Sequence, residues 1–214
     1  MKKLFFTFAL TFLAVFVLAQ TPYEKTMTEK IAKVTASQNA DELTALANDF
    51  LRIGDKEKTQ WLPYYYAAFA TIQKGRALMM GSDKSQLDSI ADQAQTYIDK
   101  AKAISGDNAE FYILEKMVHG IKMMVDPMSR FMTEGSLGAE ALAKAEQLDP
   151  ENPRISLLKG EDTYFTPEQF GGGKEKGLEQ LQKALSQFEK YQIKTALDPN
   201  WGKEEAEYFV TNKP

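Results

Sequence analysis

Cysteine is missing from all 214 residues of this sequence, and histidine occurs once, at His119. The lack of cysteine excludes disulfide bonds, thiol catalysis, thiolate metal sites and acylation at a lipoprotein cysteine. Catalytic histidines work beside a nucleophile or within a ligand set, and no such signature accompanies His119. The two scarcities therefore argue against an enzyme, and the fold must be held together by packing alone.

Long hydrophobic runs are also missing after residue 18. The one apolar run covers residues 4–18, follows Lys2 and Lys3, and precedes Ala19. This pattern is typical of a secretory signal peptide, and the run is shorter than the ~20 residues that a spanning helix needs. We expect a signal peptide at residues 1–19 and a single helical domain at 20–214, without lipidation, in the periplasm or outside the cell. An N-terminal membrane anchor is the alternative.

An excess of positive charge is absent as well. The chain has 26 basic and 30 acidic residues, a net charge of −4, and an ordinary 43% of hydrophobic residues. This balance argues against nucleic acid or an anionic membrane surface as a partner.

Apolar residues recur at helical spacing along the remaining sequence. Asn39 is a candidate N-cap, Gly54 a candidate helix end, and residues 55–58 a candidate exposed loop. Residues 61–80 are aromatic over so much of the helical circumference that this helix should be buried between its neighbours. Trp201, Tyr208 and the residues around them should cover the end of the last helix pair.

Three helical segments share one spacing: a small residue, a large apolar residue four positions later, and an alanine three positions after that. The three sets are Ala94, Ile98 and Ala101; Gly138, Leu142 and Ala145; and Gly177, Leu181 and Ala184. A small residue lets a neighbouring helix cross closely, and the large one fills the groove beside it.

With helix stops at Gly106 and Pro150, these sets resemble helix B of the tetratricopeptide repeat (TPR) over residues 61–191. The steps between the sets exceed the family period of about 34 residues, which implies inserted loops. Gly160 fits the family's small position in helix A, but Lys116 departs from it, and Glu189 stands where a third stop is expected. The segment NPRISLLKG…YFTPEQFGGGK is also similar to one in exported repeat proteins.

The resemblance implies an all-α fold, a TPR-like α-solenoid of antiparallel helix pairs. Its implied function is a non-enzymatic scaffold or interaction module, which presents a groove to a protein or peptide partner and needs no cofactor. The alternative is a periplasmic ligand-binding accessory protein for an anionic metabolite or Cu(I), and an enzyme is the third hypothesis.

Four residues are candidates for contact with a partner or ligand. Tyr112, Lys116 and His119 follow one another on a predicted helix and are expected to line its groove. Lys174 follows three glycines at a predicted helix start, where free N–H groups can bind an anion. The alternative is a flexible elbow, because the GxxxxGK[ST] spacing of a phosphate loop is absent and glycine permits positive φ angles.

Two further expectations concern the elbow and the methionines. In the elbow, residues 166–174, we expect a short helical turn ended by the glycines, with Phe170 buried as its anchor. Seven of the nine methionines lie between residues 79 and 132. Clustered thioethers favour Cu(I), although methionine also fills irregular gaps between helices.

Overall fold

The computed structural model describes residues 20–212, and over that range the chain is all α-helical, without a strand. The predicted signal peptide lies outside the described residues. Nine α-helices and one short 3-10 helix follow one another: α1 (Pro22–Ala36), α2 (Ala40–Glu57), α3 (Leu62–Met79), α4 (Leu87–Ser105), α5 (Ala109–Met123), α6 (Pro127–Leu148), α7 (Pro153–Phe165), the 3-10 helix (Glu168–Phe170), α8 (Lys174–Phe188) and α9 (Lys203–Thr211).

The first two helices begin at residues that satisfy free backbone N–H groups. The Thr21 hydroxyl accepts from the Glu24 N–H while the Glu24 carboxylate accepts from the Thr21 N–H, a reciprocal capping box. Asn39 accepts from the N–H groups of Asp41 and Glu42 at the start of α2, as the sequence predicted.

The predicted end of α2 at Gly54 is wrong, and so is the loop expected at residues 55–58. The helix continues to Glu57 and ends at Lys58, which adopts a positive φ of 51°. Gly54 serves a different purpose, because a Cβ there would lie 2.8 Å from the Tyr64 ring. Glycine at this position allows α3 to approach α2 closely.

Helix α3 forms the centre of the molecule, as its aromatic sequence indicated. Every residue from Leu62 to Ile72 is buried, and the helix packs against α2, α4 and α5. Further along the chain α5 packs against α6, and α7 packs against α8. The three sets of spaced residues are buried at these contacts.

The irregular position Lys116 is accommodated by the glycine opposite it. A Cβ at Gly138 would lie 2.9 Å from Cδ of Lys116, so the lysine stem occupies space that a larger residue at 138 would need. Gly160 makes the corresponding close contact with Leu181, at 2.7 Å from a built Cβ to Cγ. A small residue is thus needed on one side of each crossing.

The C-terminal segment, residues 192–211, is called the strap below. It covers the last helix pair, as the sequence predicted, because α9 packs against α8 and Phe209 contacts the Tyr164 ring of α7. It also crosses back to α3, which the sequence did not predict. The Tyr66 hydroxyl donates to the Leu197 carbonyl at 2.9 Å, and the Trp201 indole donates to the Tyr65 hydroxyl at 2.8 Å. Trp201 also stacks on Phe69, with ring centroids 4.8 Å apart. Trp201 packs on the aromatic face of α3 because its ring stacks there and its N–H group finds a buried hydrogen-bond partner.

Within residues 20–212, none of the helices combines the length and apolar character that crossing a bilayer would require.

Candidate ligand-binding site

A cavity of about 450 Å³ lies between α3, the start of α7, the end of α8 and the strap. We call it the strap cavity. Phe69, Phe188, Ile193 and Trp201 supply its apolar walls, Arg154 and Lys203 contribute positive charge, and Glu204 and Glu205 contribute negative charge. This volume and the aromatic walls are typical of sites for small organic ligands.

The positive wall of the strap cavity depends on a buried ion pair. Arg154 is 1% exposed, and its Nε lies 3.1 and 3.2 Å from the two carboxylate oxygens of Glu110 on α5. Its Nη2 donates to Glu110 Oε1 at 2.5 Å. Burial alone would lower the pKa of Arg154, but the Glu110 carboxylate outweighs burial and raises this pKa above its usual value. The arginine therefore stays charged.

One side-chain nitrogen of Arg154 takes no part in the pairing with Glu110. Nε and Nη2 are occupied by Glu110, whereas Nη1 has no hydrogen bond to the described residues. The guanidinium also lies against the rings of Tyr191 and Trp201, at 5.4 and 5.7 Å from their centroids. Nη1 is not among the fully buried side-chain atoms that lack a partner, so it reaches the water of the cavity and can donate to a ligand there. The arrangement thus suits a ligand with an aromatic ring and a carboxylate.

Further hydrogen bonds fix the carboxylate of Glu110 in place. It accepts from the Tyr65 hydroxyl at 3.0 Å and from the Asn152 side chain at 2.7 Å. Asn152 also caps α7 by accepting from the Arg154 N–H. Because helices α3, α5 and α7 each contribute to the network, the position of Arg154 is set by the fold as a whole.

Tyr191 is the one tyrosine in the lining of the strap cavity. Its hydroxyl donates to Asp149 at 2.7 Å and accepts from Asn152 at 3.4 Å. Burial, followed by the hydrogen bond to Asp149, raises its pKa well above the usual range. Tyr191 is thus held as a neutral phenol and points its oxygen at the protein.

A second, smaller cavity of about 330 Å³ lies where α6 meets α7 and α8. Lys159 and Glu146 line it and form an ion pair at 2.7 Å, with both side chains over a third exposed. This second cavity has no aromatic lining residue, and its lysine is already paired. It therefore lacks the features that suit the strap cavity to an aromatic ligand.

The four residues predicted to contact a partner lie outside the strap cavity. Lys116 pairs with Asp162 at 2.8 Å, and His119 Nδ1 lies 2.8 Å from Glu134. The ring of Tyr112 carries the Lys102 ammonium 4.1 Å from its centroid. Each of these α5 residues thus has a protein partner.

Lys174 lies apart from the other three, at the start of α8. Its ammonium lies 5.8 Å from the Tyr164 ring centroid. The structure therefore does not bring the four residues together into one site.

The elbow contains the expected short helical turn, but the buried anchor predicted there is wrong. Phe170 is 69% exposed. The chain reversal is closed by backbone contact instead, since a Cβ at Gly172 would lie 2.2 Å from the Thr166 carbonyl oxygen. Gly171 and Gly173 have φ angles of 91° and 124°, which other residues rarely adopt.

The methionines do not share one environment. Met117 is buried in the core, whereas Met80, Met128 and Met132 are exposed. Residues 20–212 contain no group of three histidine, cysteine or acidic side chains placed to hold a metal ion.

Arg154, Glu110 and Trp201 were not predicted as site residues. A signal for Arg154 was available, because a charged residue directly precedes the apolar run 155–158 at a helix start marked by Asn152 and Pro153. Glu110 gave no such signal, since a carboxylate near a helix N-terminus is usually solvated.

No protein-family model and no curated protein matches the chain. Among solved structures, the chain is similar to "HusA haemophore from Porphyromonas gingivalis", with 31% sequence identity and a TM-score of 0.77. The similarity covers 89% of this chain and 92% of HusA. It therefore concerns the whole helical fold, and a haemophore fits the expectation of a non-enzymatic binding protein.

Proposed function

The chain belongs to the protein family of the HusA haemophore, and from this premise we propose that it is an exported, non-enzymatic protein that binds haem in the strap cavity. Haem is a flat aromatic ring with two carboxylate side chains. A haemophore captures it outside the cytoplasm, which agrees with the predicted signal peptide at residues 1–19.

The observation that carries this proposal is the free Nη1 of Arg154 beside the stacked rings of Phe69 and Trp201. An aromatic ligand gains apolar contact with the two rings, and one of its carboxylates supplies the acceptor that Nη1 lacks. Lys203, at the rim of the cavity, forms only a long and exposed ion pair with Glu207, at 3.7 Å, and can exchange it for a second carboxylate of the ligand. These contacts favour a planar aromatic ligand whose carboxylates lie at Arg154 and Lys203, away from Glu204 and Glu205 in the same lining.

The cavity recognises the porphyrin ring and its carboxylates in preference to the iron. Its lining contains no histidine, cysteine or methionine, and the Tyr191 hydroxyl is already bonded to Asp149. An iron-free porphyrin with the same carboxylates should therefore bind with an affinity close to that of haem.

Absorbance titrations with haem test the proposal on the mature chain, residues 20–214. Ile193→Asp places a carboxylate in the apolar wall, and Lys203→Glu reverses the charge at the rim. Each should weaken binding by about tenfold or more, corresponding to about 1.4 kcal/mol. Both residues are exposed enough that the fold should tolerate the change.

The matched control is Phe165→Ala, which removes a 71% exposed ring from a second aromatic group formed with Tyr164 and Phe209. Haem affinity should be unchanged in this variant. Loss of binding in Phe165→Ala, with none in Ile193→Asp, would place the ligand on that other surface and refute the strap cavity as the site.

The signal peptide and the repeat arrangement are part of the same proposal. The protein purified from its native cell should have the intact mass of a chain beginning at Gln20, and recovery of the uncleaved form in membranes would contradict export.

The buried sets on α4, α6 and α8 support a short TPR-like solenoid of helix pairs over residues 61–191.

A protein partner is the second candidate function. The observation that favours it is an apolar strip on the N-terminal half of α6, where Met128 is 95%, Met132 77% and Phe131 53% exposed. A pull-down with the mature protein and with a Met128→Glu/Met132→Glu variant tests it, because a specific partner should be lost from the variant alone.

A further inference from the structure

The strap is attached to the rest of the molecule by few buried residues. Only Leu197, Pro199, Trp201 and Ala206 are buried between residues 192 and 211. Segments with few buried contacts open at low free-energy cost compared with the whole fold. The strap also forms one wall of the strap cavity, so its opening would uncover the ligand site.

A charged cluster fastens the helical part of the strap to the body of the protein. Arg76 on α3 forms hydrogen bonds with both carboxylate oxygens of Glu205 on α9. Glu161 on α7 completes the cluster, with its Oε1 3.5 Å from Arg76 Nη2. The three side chains are 28%, 29% and 15% exposed, so water screens them only in part.

The cluster holds two carboxyl groups against one guanidinium. The carboxyl oxygens Oε1 of Glu161 and Glu205 both lie at the same nitrogen, Nη2 of Arg76, so two acidic groups face one positive charge. Glu161 Oε1 is buried and receives no hydrogen bond from the described residues. If both carboxyl groups were ionised, the contact between the strap and the rest of the protein would contain one negative charge without a partner.

Glu161 is the member that holds the proton. Burial, followed by the charge of Glu205, raises its pKa to about 8. Burial also acts to raise the pKa of Glu205, but Arg76 outweighs it and leaves that pKa lowered. Arg76 and, less strongly, Lys116 on α5 act in the opposite direction and favour the ionised form of Glu161, and Lys116 is itself paired with Asp162.

We propose that the strap is a proton-controlled lid over the strap cavity, held closed while the Glu161 carboxyl beside Arg76 and Glu205 keeps its proton and released when that proton leaves to solvent. The inference rests on the proposed function, because it gives the lid a ligand to retain. A carrier with this lid holds its ligand more firmly in acid and exchanges it more readily in mild alkali.

The direction of the pH effect follows from the raised pKa of Glu161. Opening exposes Glu161 to water, where its pKa returns toward 4.5. The closed strap therefore binds this proton more tightly, and its stability falls as pH rises from 4.5 to about 8. The lowered pKa of Glu205 acts in the opposite direction, but only below pH 4.5.

Hydrogen exchange of the full mature chain without ligand tests the lid. Peptides from 197–211 should lose protection between pH 6 and pH 8, by up to about tenfold per pH unit after correction for intrinsic rates, the limit for one linked proton. Peptides from α2 and α3 serve as the internal reference. Strap protection that does not change with pH would overturn the proposal.

Glu161→Gln is the matched variant, because its amide is neutral, as the protonated carboxyl is, and cannot ionise. Its strap should stay protected across the same pH range. If it opens with pH as the wild type does, Glu161 is not the switch.

A second arm measures haem association rates at pH 6 and pH 8. The rate should increase with pH in the wild type and remain constant in Glu161→Gln. Equal rates in a wild type that does open would refute the lid. A complete lack of haem binding would refute the proposed function, while the exchange result without ligand would still stand.

Discussion

The guanidinium of Arg154 and the carboxylate of Glu110 are removed from water together, at 1% and 6% exposure. Removal of one partner leaves the other as an uncompensated buried charge, which costs about 3–5 kcal/mol in known cases. Replacement of both partners by neutral groups avoids that penalty.

Arg154→Met should therefore lower the free energy of unfolding by about 3–5 kcal/mol. The double variant Glu110→Gln/Arg154→Met should be less destabilised than the single one, because glutamine can still accept from Tyr65 and Asn152. Urea unfolding measures both. Lys159→Met breaks the exposed pair with Glu146 and should cost about 1 kcal/mol or less. A double variant as unstable as Arg154→Met would contradict this account of the pair.

At the scale of single residues, the sequence predicted the features that depend on residues close by in the chain. Asn39 was recognised as a cap because its acceptors lie two and three residues away. The partner of Arg154 lies 44 residues away, and no local pattern marks such a pair. The exposure of Phe170 was missed for a different reason, because the contact that closes the elbow is made by the backbone at Gly172 and needs no buried side chain.

The close contact between α7 and α8 can be tested at Gly177, where the two helices cross. A Cβ at this position would lie 2.6 Å from the backbone nitrogen and Cα of Tyr164. Backbone atoms cannot rotate away as a side chain can, so the two helices must separate. Gly177→Ala should therefore cost about 1–3 kcal/mol, the usual range for overpacking. Thermal unfolding is the measurement.

Gly135 in the interior of α6 is the matched control, because a built Cβ there meets nothing within 4 Å. Gly135→Ala should stabilise the protein by about 0.5–1 kcal/mol through the loss of glycine's extra freedom in the unfolded chain. Opposite signs for two identical substitutions would establish the close contact. Equal effects would mean that α7 and α8 do not cross at Gly177.

At the scale of helices, the periodic pattern located most elements, and its errors come from glycine. Gly54 was taken as a helix end, yet it lies inside α2 beneath Tyr64. A glycine that stops a helix and one that allows close packing look the same in a sequence. Only the position of the neighbouring helix distinguishes them.

The molecule as a whole depends on the strap. Truncation after Tyr191 removes Trp201 and uncovers the aromatic face of α3. The truncated chain should lose at least about 3 kcal/mol of stability, the lower range for removal of a large buried aromatic side chain. It should also bind a hydrophobic dye and lose haem affinity. Denaturant unfolding and the absorbance titration described above measure these changes.

A chain that lacks only residues 213–214 is the control, because every contact described for the strap lies before them. It should unfold and bind haem as the full mature chain does. If the longer truncation also unfolds normally, the strap contributes nothing to the fold and cannot form a wall of the site.

The strap cavity itself could not be predicted from the sequence. Its lining combines Phe69 from α3 with Glu205 from α9, and Trp201 pairs with a hydroxyl 136 residues earlier. The helical period predicts which face of each helix is buried, but not which distant segment covers that face.

The long separation between Trp201 and Tyr65 also affects how the protein is made. Helix pairs close in sequence can assemble while the chain is still emerging, since local contacts form fastest. The contacts of the strap with α3 form later, because their two partners are 129 to 136 residues apart in the sequence. The wall that the strap gives to the strap cavity is thus completed after the helix pairs have assembled, so a molecule whose strap has not yet folded onto α3 has an incomplete cavity.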